Sequence, residues 1–395
     1  VTAGLIATKE EIRRGETTDI YFRRTMEVLR ALGKDRTHVT AEVFVKRYPR
    51  GYPFGILAGT EDVLSLLEGR KVSVRAMAEG SLFHEGEPVL SIEGEYGEFC
   101  ELETAILGYL CQATGVATKT VRLRHAAGNR TLLSFGARRM HPALSAYIDR
   151  NAWIGGADGV SAVLSADRLG MAPSGTVPHA LVLVLGDTLE AMEAFDRVVD
   201  PSVPRVCLVD TLQDEKFEAI RVAEAMGDRL YAFRLDTPAS RKGDMRQLLS
   251  EVRWELDLRG HRHVKLLVSG GLDEEEVARL ADLADGFGVG SAISAAPPVD
   301  FSLDLVEVDG APLAKRGKAS GAKQVVRCPV CGHRGVAPRG GDSYCACGAE
   351  TEPLLAEAMR EGKILVHPVE PSHIRGFVLA QAGRYYGDHE EERRP

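Results

Sequence analysis

Cys328-Pro-Val-Cys331-Gly is followed, after 12 residues, by Cys345-Ala-Cys347-Gly. Thiolates bind Zn2+ well, and two cysteine knuckles, each closed by a glycine, supply the four ligands of a zinc ribbon. The polar, glycine-rich stretch between them, HRGVAPRGGDSY, has little to pack, so a metal would hold it together. Four thiolates leave no open coordination position, which makes such a site structural and not catalytic. Just upstream, KRGKASGAKQVVR carries five basic residues in 13. It reads as a solvated loop, a phosphate-facing loop or a nucleic-acid contact. Cys100, Cys111 and Cys207 stand alone and read as buried packing.

A second set of residues is spread along the middle of the chain: Phe135-Gly136-Ala137-Arg138-Arg139, Asp210-Thr211, Arg234-Leu235-Asp236, Ser269-Gly270-Gly271 and Gly288-Val289-Gly290-Ser291. Guanidinium forks match carboxylate and phosphate, and a phenylalanine can face a flat ring. Asp210 and Asp236 follow apolar residues, so their carboxylates suit a Mg2+-phosphate group or a developing cation. Either could instead pair structurally with Arg234 or Arg241. The two glycine turns would offer backbone N–H groups to a phosphate, although a glycine after a strand is often only a turn. His179, in GTVPHA, falls at a loop-to-helix junction. Alone it is as readily an ordinary polar histidine as a catalytic one.

The elements that must position these groups alternate. Strand-like runs recur at 131–136, 157–163, 205–210, 230–236, 264–269 and 284–290, with amphipathic stretches such as DEKFEAIRVAEAMGD between them. A further short strand is expected at 171–176, while 181–186 fits strand or helix. Strand and helix in alternation imply a parallel sheet, and six or seven units suggest a barrel, open or closed. In such a barrel the carboxyl ends of the strands share one face, where the second set of residues then gathers. Glycine, arginine and aspartate on five strand ends are what a phosphate-ester site needs. Before it, residues 1–115 read as an α+β domain, with alternating strands broken by Glu-Gly turns and a helix from Glu101 to about Ala127. The division expected is 1–115, 116–300 for the barrel, and 301–395 carrying the ribbon at about 326–350.

The 395 residues, 44% apolar, exclude disorder as the main state. With 49 basic against 57 acidic side chains the net charge is −8. That weighs against a nucleic-acid coat or an anionic-membrane binder, both of which need a basic face. No 18-residue apolar stretch occurs, and the first 30 residues lack the apolar core of a signal peptide, so the expectation is a cytoplasmic protein with no membrane or nucleic-acid partner.

FGARR, GTVPHA, RLDT, SGGLD and GVGS, in that order, resemble the nicotinate phosphoribosyltransferases, and in particular the shorter archaeal and bacterial form with a cysteine ribbon near its C-terminus. The resemblance runs from Thr18-Asp19-Ile20-Tyr21, similar to a family Thr-Asp-x-Tyr, through KASGAKQVVR, similar to Lys-x-Ser-x-x-Lys-Gln-Val. It implies a type II phosphoribosyltransferase fold of class α/β: an incomplete parallel α/β barrel, an N-terminal α+β sandwich-like domain and a C-terminal zinc ribbon. It also implies the reaction of nicotinate with phosphoribosyl pyrophosphate to give nicotinate mononucleotide and pyrophosphate, coupled to ATP hydrolysis, with Mg2+.

By the same resemblance, Phe135 stacks on the pyridine ring and Tyr21 covers its other face from a second subunit of a homodimer or higher oligomer. Arg138 meets the nicotinate carboxylate or the phosphates, with Arg139 beside it in the substrate-binding set. Arg234 and Asp236 line the ring and ribose, and Asp210 the ribose, Mg2+ and pyrophosphate. Gly270, Gly271, Gly288 and Gly290, with Ser291, hold the 5′-phosphate, and His179 matches the histidine that ATP phosphorylates. Thr237-Pro238 stand where many relatives have Ser-Gly, a departure at the ribose. Many relatives lack the ribbon, which sets it apart from the chemistry.

Two rivals follow. Quinolinate phosphoribosyltransferase, a decarboxylating relative of similar fold, uses no ATP and binds a second carboxylate, for which Arg139 and His141 are available. GTVPHA argues for the ATP-coupled branch, and Arg138 with Arg234 for an anionic base over nicotinamide. From a different class, the ribbon and its basic loop could form a nucleic-acid-binding module on a barrel scaffold, against which the acidic charge weighs.

Overall fold

Strand-like runs six or seven residues long, separated by amphipathic helices, fold into the parallel sheet that their alternation implies. In the computed structural model, which describes residues 4–49, 51–237, 243–341 and 344–391, six strands lie in the spatial order Gly159–Val160, Thr131–Ser134, Gly286–Val289, Lys265–Ser269, Ala232–Leu235 and Val206–Leu208. Every pairing among them is parallel. Each of the six expected runs carries one strand. Leu132, Phe233, Leu266 and Phe287 are fully buried in this sheet, as strands covered on both faces require. The crossover helices begin where an aspartate side chain accepts from the first free N–H groups: Asp214 before Glu215–Met226, Asp244 before Met245–Leu258, and Asp273 before Glu274–Leu280.

The sheet does not close. Between its two edges runs the stretch expected as a strand at 171–176, and it is not one. The Ser174 N–H donates to the Val160 carbonyl on one edge at 2.8 Å, and the Val177 N–H to Val206 on the other at 3.2 Å. Pro173 and Pro178 lack the N–H that a ladder needs, so the segment touches each edge without joining either. The residues left open at 181–186 are helical: His179–Leu185 is a helix, ended by Gly186 at φ +83°.

Two compact units divide the chain: Lys119–Ala296, which holds the parallel sheet, and Val1–Thr118 together with Pro297–Pro395. In the second, strands from both chain ends build one antiparallel sheet. Its order is Ala311–Pro312, Asp300–Val308, His38–Arg47, Pro88–Glu95, Val72–Ala76, Ala356–Arg360 and Lys363–Ile364. Val39, Ala41, Val43 and Val45 alternate onto a core with Leu57, Phe83, Ile92 and Phe301. The opposite face of the same strand carries Thr40 and Glu42, also buried. Glu42 accepts from the backbone N–H of Lys323 at 2.6 Å and from its ammonium at 3.0 Å. Lys323 opens the strand Lys323–Arg327, the centre of the small sheet that leads into the ribbon. Arg334, on the neighbouring strand, forms two parallel bonds to Glu87 at 2.8 and 2.7 Å. The helix Pro371–Glu391 packs Ile374 and Val378 over Gly80, where a Cβ would meet Ile374 at 2.8 Å. Among the described residues, no helix is long and apolar enough to cross a membrane.

Candidate active site and metal centre

The carboxyl ends of the parallel strands set the candidate site. Val206–Leu208 delivers Asp210 and Thr211, Ala232–Leu235 delivers Arg234 and Asp236, and Lys265–Ser269 delivers Ser269 and the two glycines after it. His179 comes from the gap, as the first residue of its helix behind Pro178. Its Nδ1 lies 2.9 Å from the hydroxyl oxygen of Thr211. Its Nε2 lies 3.8 Å from a carboxylate oxygen of Asp210 and 3.8 Å from one of Asp236. The imidazole is 40% exposed, so a substrate can reach it.

The two carboxylates differ. Asp236 is fully engaged: Oδ1 accepts from Ser269 at 2.9 Å and Oδ2 from Arg234 at 3.0 Å. Arg234 also donates to Thr176 at 2.7 Å. The side chain of Asp210 is 2% exposed, and its Oδ1 has no hydrogen-bond partner among the described residues. Burial raises its pKa from the ordinary aspartate value, with the neighbouring His179 pulling the other way. An orphaned, buried carboxylate oxygen beside a histidine and an arginine is a place for a bound cation or a proton.

Glycine is required here for space. Gly270 has φ +90°, and a Cβ on it would stand 2.9 Å from Oδ1 of Asp236. At Gly288 a Cβ would stand 2.5 and 2.6 Å from two ring carbons of Phe135. Phe135 donates its N–H to the carbonyl of Val289 at 2.8 Å. Arg138 and Arg139 follow in the 3-10 turn Ala137–Arg139, both exposed and without an ion pair among the described residues. Gly290 precedes the short helix Ser291–Ser294.

The cysteines converge. The four Sγ atoms of Cys328, Cys331, Cys345 and Cys347 lie within 4.8 Å of one another. Cys328 and Cys347 are 3.5 Å apart, and Cys331 and Cys345 3.4 Å. A tetrahedral zinc–thiolate centre with bonds of about 2.3 Å sets its sulfurs about 3.8 Å apart, so the set fits Zn2+. The Cys331 N–H points at the Cys328 sulfur at 3.4 Å, and such backbone donors lower that thiol's pKa to about 6. Gly332 and Gly348, at φ +75° and +86°, make the turns behind each pair.

Residues 19–114 match the family model of the quinolinate phosphoribosyl transferase N-terminal domain, and residues 116–304 that of its C-terminal domain. The nicotinate phosphoribosyltransferase pncB1 of Mycobacterium tuberculosis is 30% identical over 95% of this chain and 87% of its own. The chain belongs to the nicotinate phosphoribosyltransferase family. Among solved structures, the nicotinate-nucleotide pyrophosphorylase from Pyrococcus furiosus is 49% identical, with a TM-score of 0.95 over 98% of this chain and 99% of that one. Human nicotinic acid phosphoribosyltransferase shares the fold at 22% identity, with a TM-score of 0.77 over 93% of each chain.

Within this phosphoribosyltransferase the fold brings together His179, Asp210, Arg234 and Asp236 by direct contact, and separately Phe135 with Gly288. The ion pair between Arg234 and Asp236, weighed in sequence as a structural alternative, is present; Arg241 and Pro238 lie outside the described residues. Tyr21 belongs to the other unit, 56% exposed on the helix Ile20–Ala31 with its ring against Phe22. His141 is exposed and turns Nδ1 to the N–H of Ala143. Thr176, Thr211 and Ser269 are contacts to which the sequence assigned no role. Each lies inside one of the motifs, GTVPHA, Asp210-Thr211 and Ser269-Gly270-Gly271, and that membership was the only signal.

Proposed function

We propose that the chain joins nicotinate to phosphoribosyl pyrophosphate, giving nicotinate mononucleotide and pyrophosphate, and couples this to ATP hydrolysis through His179 in cytoplasmic pyridine nucleotide biosynthesis. The observation that carries the proposal is the imidazole of His179 held between the Thr211 hydroxyl and the carboxylates of Asp210 and Asp236. A histidine so placed can accept the terminal phosphoryl group of ATP on a ring nitrogen, with ADP leaving. Water then returns the imidazole and releases phosphate. The phosphorylated form adds negative charge at the rim and alters its affinity for pyrophosphate.

The transfer itself needs no strong base. The pyridine nitrogen lone pair attacks C1 of the ribose, and the C–O bond to pyrophosphate breaks with its electrons on the leaving group. Catalysis lies in positioning and in charge. Phe135 faces the pyridine, and Arg138 meets the nicotinate carboxylate or the substrate phosphates, with Arg139 beside it. Asp236 and Arg234 line the ribose, and the glycine turns with Ser291 face the 5′-phosphate. Asp210 would hold Mg2+, which supplies neutralisation of the pyrophosphate charge; its unpartnered Oδ1 supports this. Tyr21, exposed on its helix, suits a homodimer in which each copy covers the other's base. The zinc ribbon is structural.

The family models favour a second reading, quinolinate phosphoribosyl transfer with loss of CO2. Purified protein with phosphoribosyl pyrophosphate and Mg2+, offered nicotinate, nicotinamide or quinolinate with and without ATP, separates them. Nicotinate mononucleotide formed together with ADP, with ADP lost in His179→Ala, is expected. Turnover of quinolinate with CO2 and no ADP overturns the proposal.

A further inference from the structure

Gly288 lies inside the sheet, in the strand Gly286–Val289, paired with Ser269 on one side and Leu133 on the other. Its backbone is extended and would accept any residue, so conformation does not explain the glycine. Space does. A Cβ there would stand 2.5 Å from Cδ2 and 2.6 Å from Cε2 of Phe135, whereas carbons in contact sit about 3.5–4.0 Å apart. The ring therefore rests on the bare backbone of position 288. The main chain of Phe135 is held in place by its N–H on Val289, so a Cβ at 288 has to be met by movement of the ring itself. The next residue is as tightly held: a Cβ on Gly136 would stand 2.5 Å from Cβ of Ser294 and 2.8 Å from the carbonyl oxygen of Gly290.

We infer that Gly288 is a positioning residue for the base: the side chain it lacks sets the depth of the Phe135 ring, and so the plane on which the pyridine stacks. The inference rests on the proposed function, in which Phe135 faces the pyridine. It differs from the phosphate role that the motif suggests, since Gly288 acts through an aromatic ring and not through its N–H. Alanine at 288 would push the ring outward by about 1 Å, and an error of that size in a base's position costs up to about a hundredfold.

The test is a double-mutant cycle between Gly288→Ala and Phe135→Ala, with KM for nicotinate and for phosphoribosyl pyrophosphate measured separately and a thermal melt for each variant. Gly288→Ala is expected to raise the KM for nicotinate about tenfold or more and to leave that for phosphoribosyl pyrophosphate within about twofold. In the Phe135→Ala background the same change is expected to add little, since of the nearest atoms only Cβ of Ser269, at 3.3 Å, remains in the way. A rise in the KM for phosphoribosyl pyrophosphate instead, or full multiplication of the two effects, overturns the inference and returns Gly288 to the phosphate. If Gly288→Ala fails to fold but the double variant folds, the ring is the conflicting group and the inference stands; if neither folds, it falls. A wild type that consumes only quinolinate overturns the functional reading, and the cycle is then read with that base. A wild type inactive on both bases removes both.

Discussion

Ser269 donates its hydroxyl to Oδ1 of Asp236 at 2.9 Å, the same oxygen that a Cβ on Gly270 would approach to 2.9 Å. The strand-end glycine thus makes room for a carboxylate that its neighbour then holds. Gly270→Ala combines this crowding with a side chain at φ +90°, a conformation that penalises any Cβ. The expected result is a loss of about 1–2 kcal/mol in stability by denaturant titration, together with a fall in kcat/KM larger than that loss explains. Wild-type kcat/KM in this variant would separate Asp236 from the chemistry.

Much of this arrangement was legible because it rests on short-range signals. Apolar runs between amphipathic stretches marked all six strands, and the rim residues follow those runs directly. The gap was not legible: residues 171–178 carry enough apolar and small residues to suggest a strand, and only the positions of the two edges show that each is met by a single bond. Nor do the sites of Thr211 and Ser269 announce themselves, since a hydroxyl's partner depends on which strand ends lie side by side. Gly288 shows the same limit differently. A glycine in a sequence says that a Cβ is absent; it does not say which atom uses the space.

Asp210 links activity and pH. Burial raises its folded-state pKa above the unfolded value of about 3.9, so ionisation works against the fold. That penalty is absent below about pH 4, grows as pH rises through the window up to the raised folded value, and is full above it. Asp210→Asn removes the charge. It is expected to stabilise the protein by roughly 1 kcal/mol at pH 7, to bring no gain below about pH 4, and to lower kcat/KM by about a hundredfold or more. Thermal melts across pH with parallel assays check both halves, and a variant less stable than wild type at pH 7 contradicts the sign.

The ribbon is expected to be separable from catalysis. Intact-mass measurement under native conditions is expected to find one zinc per chain. Removal of zinc by a chelator, or Cys345→Ser, is expected to lower Tm by about 5 °C or more. The kcat of the folded fraction should hold within about twofold, because a closed four-thiolate centre offers no coordination site to a substrate. An equal drop in kcat and in the folded fraction's affinity for nicotinate would instead tie the ribbon to the active site.

Glu42 and Lys323 are 281 residues apart and meet in the interior. In an alternating strand such a glutamate reads as solvent-facing, and it is the strand Lys323–Arg327 that covers it. Burial raises the Glu42 pKa, and the bonds from Lys323 act against that rise without cancelling it. Removing the lysine leaves a buried carboxylate with only the backbone N–H. Lys323→Met is therefore expected to destabilise by about 3–5 kcal/mol at pH 7, and by less at lower pH, where Glu42 takes up a proton. The double variant Lys323→Met/Glu42→Leu is expected to recover most of the loss, because an apolar pair of similar volume carries no charge to desolvate. Denaturant titration of the two variants at pH 5 and pH 7 reads both effects. If the single variant is insensitive to pH, Lys323 contributes by packing its stem and not by its charge.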